Sequence, residues 1–203
     1  MEIETATLSK GRPREFCVDE ALAAALRVFW TKGYEGASMA DLTEAMGITK
    51  PSLYAAFGNK EALFNKALDL YEREKLDYMR DALAAPTARG VAEKLMRGSL
   101  AMHLCPDNPH GCLKVIGTMA CGTEADCIRE AVIERGAESK RSLLARFERA
   151  KEEGDLPADT DVEGLTAILV AMNQGMAVQA SAGATAAELE RLVEAGLKLW
   201  PSR

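Results

Sequence analysis

The chain has 203 residues, 48% of them hydrophobic and 28% charged, with a formal net charge of −6. That is enough apolar material for one or two packed domains, and the acidic balance argues against a protein that coats nucleic acid regardless of sequence. Aromatic residues make up only 5%, while Ala, Leu, Glu and Met abound and alternating β-branched runs are scarce, so the expected fold class is all-α.

Taken in order, residues 1–7 read as an acidic tail. Glu2 and Glu4 stand where a secretory leader would carry basic residues, so a cytoplasmic protein is expected. In the next stretch Gly11 and Pro13 resist helix, and Lys10, Arg12 and Arg14 project cations with no acid from Leu8 to Arg14. Such an arm suits a narrow, A·T-rich minor groove; a plain linker is the alternative. Val18, Leu22, Ala25, Leu26 and Phe29 then form the apolar stripe of a first helix expected to end near Gly33. Trp30 and Tyr34, beside that end, are read as packing.

Ser38 opens a second helix, with Asp41 three residues on as its capping-box partner. Met39, Leu42, Ala45 and Met46 recur at helical spacing, and Gly47 ends the helix in a left-handed turn. Thr49 caps a short third helix that turns Leu53, Ala56 and Phe57 inward. Pro51 and Ala55 then point away from the buried side, flanked by Ser52 and Tyr54. The alternative is an αα-hairpin of no special purpose. A helix face meant for solvent, however, usually pairs Glu with Lys at i,i+4, and no acid lies between Glu44 and Glu61. The unit reads as a helix-turn-helix. Its expected DNA contacts are Ser38, Thr49, Lys50, Ser52, Tyr54 and Lys60 toward phosphate, with Pro51 and Ala55 suited to thymine methyls.

Here the chain resembles the TetR family of bacterial transcription regulators. The matching residues are Phe29-Trp30-x-x-Gly33-Tyr34-x-Gly36-Ala37-Ser38-Met39, then Gly47 through Tyr54, then Phe57-Gly58-Asn59-Lys60-Glu61-Ala62-Leu63-Phe64. The resemblance covers about the first third of the chain. It implies a homodimeric, ligand-responsive, usually repressing protein whose partners are double-stranded operator DNA, a second copy of itself and a small-molecule effector. Ala55 departs from the pattern, since many relatives carry a second aromatic there, and this leaves the operator sequence open.

Asn59 caps a long helix expected over 60–84, and Pro86 breaks it. The expected division is therefore an arm and helix-turn-helix domain over 1–60, a connecting helix over 61–85, and a sensor and dimerisation domain over 86–203. In that last part helices are expected over 88–105, 112–120, 124–153, 162–182 and 186–200, the last opened by the capping box Thr185-x-x-Glu188. Residues 164–187 carry no charge, but Asn173, Gln174, Gln179, Ser181 and the glycines make a poor membrane span, so a buried helix pair is expected. In the family that the chain resembles, the equivalent pair meets its symmetry mate as a four-helix bundle. A two-fold dimer matches DNA half-sites about 34–36 Å apart.

The default effector pocket is the core of the sensor half, with Met96, Leu100, Met119, Phe147, Met172 and Met176 as apolar lining and Asn173 and Gln174 as polar anchors. Of the five cysteines, four fall between Cys105 and Cys127. His103, Cys105, His110 and Cys112 invite a soft-metal reading, but i,i+2 spacing turns His103 and Cys105 apart, so neither a metal nor a cofactor is assigned. Pro109-His110-Gly111-Cys112-Leu113 looks like a Pro-x-Gly-Cys-Leu element of a TetR subgroup in which a thiol reports on oxidants or electrophiles. Cys112 at a helix start, near His110 and Lys114, is where backbone N–H groups favour thiolate; plain packing is the alternative. A helical enzyme using Cys112 as nucleophile is the competing function, and it lacks an evident orienting carboxylate.

Overall fold

A computed structural model describes residues 16–118 and 125–201, together with the backbone but not the side chain of Met119. The expected arm residues Lys10, Arg12 and Arg14, and Cys121, lie outside the described residues. The described residues form ten α-helices and no strand: α1 Val18–Gly36, α2 Met39–Met46, α3 Lys50–Phe57, α4 Lys60–Lys75, α5 Asp77–Leu83, α6 Ala88–Leu104, α7 Leu113–Met119, α8 Asp126–Glu152, α9 Val162–Ser181 and α10 Ala186–Leu199.

The boundaries follow local chemistry. Regular helix in α1 is interrupted at Gly33, whose φ of 72° is left-handed. Asn59 Oδ1 accepts from Ala62 N at 2.7 Å to start α4, and Thr87 Oγ1 accepts from Gly90 N at 3.0 Å to start α6. At α10 the expected capping box is present, with Thr185 N donating to Glu188 Oε2 at 2.8 Å. One expectation is corrected: the helix over 60–84 is two helices, because Leu76 leaves helical geometry at φ −110° and ψ 15°. No Gly or Pro signals this break. After it, α5 lies on α6 where Gly98 has no side chain, and a methyl there would overlap the Tyr78 ring.

Two cores result. The first joins α1–α4 to Met102 of α6, Leu113 of α7 and Ile128 and Val132 of α8. Phe29 meets Phe64 edge-on at 5.0 Å, and Trp30 meets Tyr71 edge-on at 4.8 Å. The second core packs α5, α6, α8, α9 and α10 around Phe147, which lies 5.4 Å from Trp200. The first core thus reaches beyond the three N-terminal helices, which places part of α7 and α8 against the helices that carry the helix-turn-helix.

Candidate functional site

The helix-turn-helix is held by short-range bonds. Ser38 Oγ accepts from Asp41 N at 3.0 Å and donates to Asp41 Oδ2 at 2.7 Å, while Ser38 N donates to the same carboxylate at 2.9 Å. Lys32 of α1 reaches Asp41 Oδ1 at 2.6 Å. Lys32 first, and then Ser38, hold the Asp41 carboxyl well below the usual carboxylate range. Gly47 turns the chain at φ 65°. At the start of α3, Ser52 N donates to Thr49 Oγ1 at 3.3 Å, and the two hydroxyls are 2.9 Å apart. Pro51 sits in the first turn, where no N–H is needed.

The faces of α3 then sort as expected. Leu53 and Phe57 are buried, whereas Lys50, Pro51, Tyr54 and Ala55 are exposed. Lys50 Nζ lies 5.9 Å from the centre of the Tyr54 ring. Lys60 Nζ is held 4.5 Å above the Tyr34 ring, and burial lowers its pKa against an opposing pull from Glu35. The hydroxyls of Ser38 and Thr49 are engaged in caps, so the outward chemistry rests on Lys50, Pro51, Ser52, Tyr54, Ala55 and Lys60.

A second feature is a cavity of about 420 Å³ among α5–α9, lined mostly by apolar side chains. Of the residues expected there, Asn173 and Gln174 stand in its wall, and so does Cys112, which was expected as a separate thiol site. Met96, Leu100, Phe147 and Met176 do not: they are buried in the second core, with half-buried Met172 packed against it. The reason lies in α6, which has two adjacent apolar faces. The one bearing Leu95, Ser99, Met102 and His103 meets the cavity, while Met96 and Leu100 join the core. The Met119 side chain lies outside the described residues, and His110 is exposed.

Cys112 is half-buried just before α7 and accepts a hydrogen bond from Tyr71 Oη of α4 at 3.3 Å. Burial, and next the neighbouring Cys112, push the Tyr71 phenol well above its ordinary value, so it stays a donor. Lys114, expected to assist the thiol, instead bonds Glu72 of α4 at 2.8 Å. Glu72 also meets Arg135 of α8 at 2.8 Å, and Arg135 meets Asp69 at 2.6 Å. Burial works to raise the Glu72 carboxyl, but Lys114 and Arg135 carry it below its ordinary value.

The loop before α7 is tied to α1 as well. Trp30 Nε1 donates to the Gly111 carbonyl at 3.0 Å, and Arg27 to the Asp107 carbonyl at 2.6 Å. Gly111 has φ 88°, and a methyl on it would overlap the Ser181 hydroxyl of α9. His103 is 4% exposed and lines the cavity, and its Nδ1 has no partner. Burial pushes its imidazole down to about 4, opposed by the Gly111 backbone. Asn173 donates through Nδ2 to the Leu169 carbonyl at 2.9 Å and leaves Oδ1 unpartnered. The sequence pointed to neither the Trp30 link nor the Tyr71 link, since each joins residues forty or more positions apart. Among the described residues, no group of three or more His, Cys, Asp or Glu side chains is placed to hold a metal, and no helix is long and apolar enough to cross a membrane.

A capped pair of short helices around a left-handed glycine, with an acid-free outer face on the second, defines a helix-turn-helix DNA-binding protein. Residues 21–67 match the model of bacterial regulatory proteins of the tetR family, and residues 92–195 match a tetracyclin repressor-like C-terminal domain. The chain belongs to the TetR family. It is 33% identical over 196 residues to the HTH-type transcriptional repressor ComR of Escherichia coli K12, covering 95% of this chain and 93% of that one. The repressor BdcR of the same organism is 48% identical over 61 residues, 30% of this chain and 31% of that one. Among solved structures, a cysteine mutant of the TetR family transcriptional regulator CifR, complexed with 26-base-pair operator DNA, is 43% identical. Its TM-score is 0.88, with 94% of this chain and 100% of that one covered.

Proposed function

We propose that the protein is a homodimeric transcriptional repressor that is released from its operator by a small or thiol-reactive effector. The observation that carries this is the exposed, acid-free face of α3, presented by a helix-turn-helix whose own polar groups are locally satisfied. ComR and BdcR are named as repressors, and the CifR structure holds operator DNA, which supports the same role here. In this reading residues 1–60 are the DNA-binding part, 61–85 connect, and 86–203 sense and dimerise. Lys50, Pro51, Ser52, Tyr54, Ala55 and Lys60 meet one half-site, and Lys10, Arg12 and Arg14 lie in the flanking minor groove. Exposed Ile168 and Val178 of α9 and Leu199 of α10 suit a dimer face. Footprinting and anisotropy titration on the DNA adjoining the protein's own gene test the reading. Saturable binding that weakens with salt is expected there, and equal affinity for an unrelated duplex would sink it.

A second reading concerns the thiol. The resemblance of Pro109-His110-Gly111-Cys112-Leu113 to the thiol-bearing element of a TetR subgroup supports Cys112 as a reactive switch. So does its place in the cavity wall, bonded to Tyr71 on the helix that also packs on Trp30. The enzyme alternative draws no such support, because His110 is exposed and the group bonded to Cys112 is a phenol. Wild type and Cys112→Ser are treated with a mild oxidant and titrated on the operator. Release of wild type alone is expected, and equal responses would leave Cys112 a packing residue.

A further inference from the structure

We propose that the effector bound in the cavity is an anion with an apolar body, a monocarboxylate of about the bulk of a two-ring aromatic acid, whose carboxylate is taken by Lys114 and Lys140. This rests on the repressor reading above and names the ligand class of its sensor. The chain as a whole carries 31 acids against 25 bases, yet the cavity wall contains two lysines and no Asp or Glu. The sign of the wall is therefore opposite to that of the molecule. A cation entering would meet two like charges and no carboxylate in the wall. A neutral apolar guest would fill the space but leave the lysines without a partner inside it.

The two lysines differ in their present bonding. Lys114 is only 13% exposed and bonds Glu72, which lies outside this wall. Lys140, on α8, has no ion pair among the described residues. The remaining wall is a typical small-molecule lining, with apolar side chains such as Leu95, Val132 and Leu143 and a few polar groups. Some of that polar capacity is unfilled, since His103 Nδ1 and Asn173 Oδ1 have no partner. These two suit a hydroxyl or a second polar group on the guest.

The location gives the guest leverage. A carboxylate that bonds Lys114 competes with Glu72 on α4, the helix that packs against α1 and follows α3 directly. Arg135 continues to hold Asp69 and Glu72 from α8. The anion therefore loosens the tie between α7 and α4 while leaving the tie between α8 and α4. This is a differential contact, which an effector needs if it is to shift an equilibrium between geometries.

The test uses the full chain and two probes with one body, 2-naphthoate and 2-naphthalenemethanol, by calorimetry. The acid is expected to bind about tenfold or more tightly than the alcohol. Lys140→Met should remove most of that preference. Lys114→Met should do the same and, in addition, raise the operator dissociation constant before any ligand is added. Lys140 is exposed, so an unchanged melting temperature and unchanged ligand-free operator binding confirm that its variant is folded. Equal or tighter binding of the alcohol, no binding of the acid at millimolar concentration, or an undiminished preference in Lys140→Met would each overturn the proposal. Failure of ligand-free wild type to bind its operator would instead overturn the repressor reading, and the acid–alcohol comparison would still stand.

Discussion

The helix-turn-helix and the cavity are built in opposite ways. In the first, the polar contacts that set the fold are mostly local: Ser38 with Asp41, Thr49 with Ser52, Asn59 with Ala62. The second draws its wall from five helices, and its key bonds join Tyr71 to Cys112 and Glu72 to Lys114 and Arg135. Its interior also keeps unpartnered atoms at His103 and Asn173. A surface that must match DNA in register gains from being rigid before contact. A sensor gains from polar groups whose partners can be exchanged, because only differential interactions shift populations. The two regions meet along α4, which carries Phe64 toward the first and Tyr71 and Glu72 toward the second.

The comparison breaks most severely if the rigid region loses its support. Phe29 is fully buried and meets Phe64 edge-on at 5.0 Å. Phe29→Ala should cost about 3–5 kcal/mol of stability and abolish operator binding, as read by urea unfolding and anisotropy. A variant that keeps wild-type stability would show that the N-terminal helices are not held by this contact.

The cavity should respond to pH where the helix-turn-helix does not. His103 is held neutral, its pKa lowered to about 4 from 6.5 chiefly by burial. As pH falls below 6.5 the unfolded chain takes up a proton that the folded chain refuses, so stability declines until the folded value is reached and then levels off. The loss should be on the order of 2 kcal/mol between pH 7 and pH 4. Urea unfolding of wild type and His103→Gln across that range measures it. The variant should show a shallower decline, and identical slopes would remove His103 as the source.

A smaller effect separates surface from support. Tyr54 is 46% exposed, so Tyr54→Ala should leave stability unchanged within about 0.5 kcal/mol and weaken operator binding about tenfold. Lys60→Ala should lower the slope of log affinity against log salt by about one unit. Here the seat over Tyr34 matters: if that ring only buries the ammonium, the slope will not move.

How much was legible in the sequence follows the same division. The caps at Ser38, Thr49, Asn59 and Thr185 involve residues three apart, and each appears in the structure where spacing placed it. The outward face of α3 follows from helical period alone. The break at Leu76 was not legible, because no local breaker marks it; the close seat of Tyr78 on Gly98 just after it is a long-range contact. Little of the cavity lining was legible. Asn173 and Gln174 were identified, but the choice between the two apolar faces of α6 depends on where α7 and α8 arrive. Nothing in the stretch from Val91 to Leu100 encodes that.

The smallest expected effect tests whether the two regions are coupled through one bond. Tyr71→Phe keeps the ring against Trp30, 4.8 Å away, and removes only the hydroxyl that donates to Cys112. Sulfur is a weak acceptor, so stability should fall by about 1 kcal/mol or less. If thiol chemistry at Cys112 acts by breaking this bond, the variant resembles a partly switched protein. Its operator affinity before oxidation should be lower than that of wild type, and the further drop on oxidation should be smaller. Anisotropy titrations of both proteins, reduced and oxidised, give the four constants needed. Wild-type affinity together with a wild-type response would show that the hydroxyl is incidental. The route from the loop before α7 to the DNA-binding helices would then run through α1, by the bonds of Trp30 to the Gly111 carbonyl and of Arg27 to the Asp107 carbonyl.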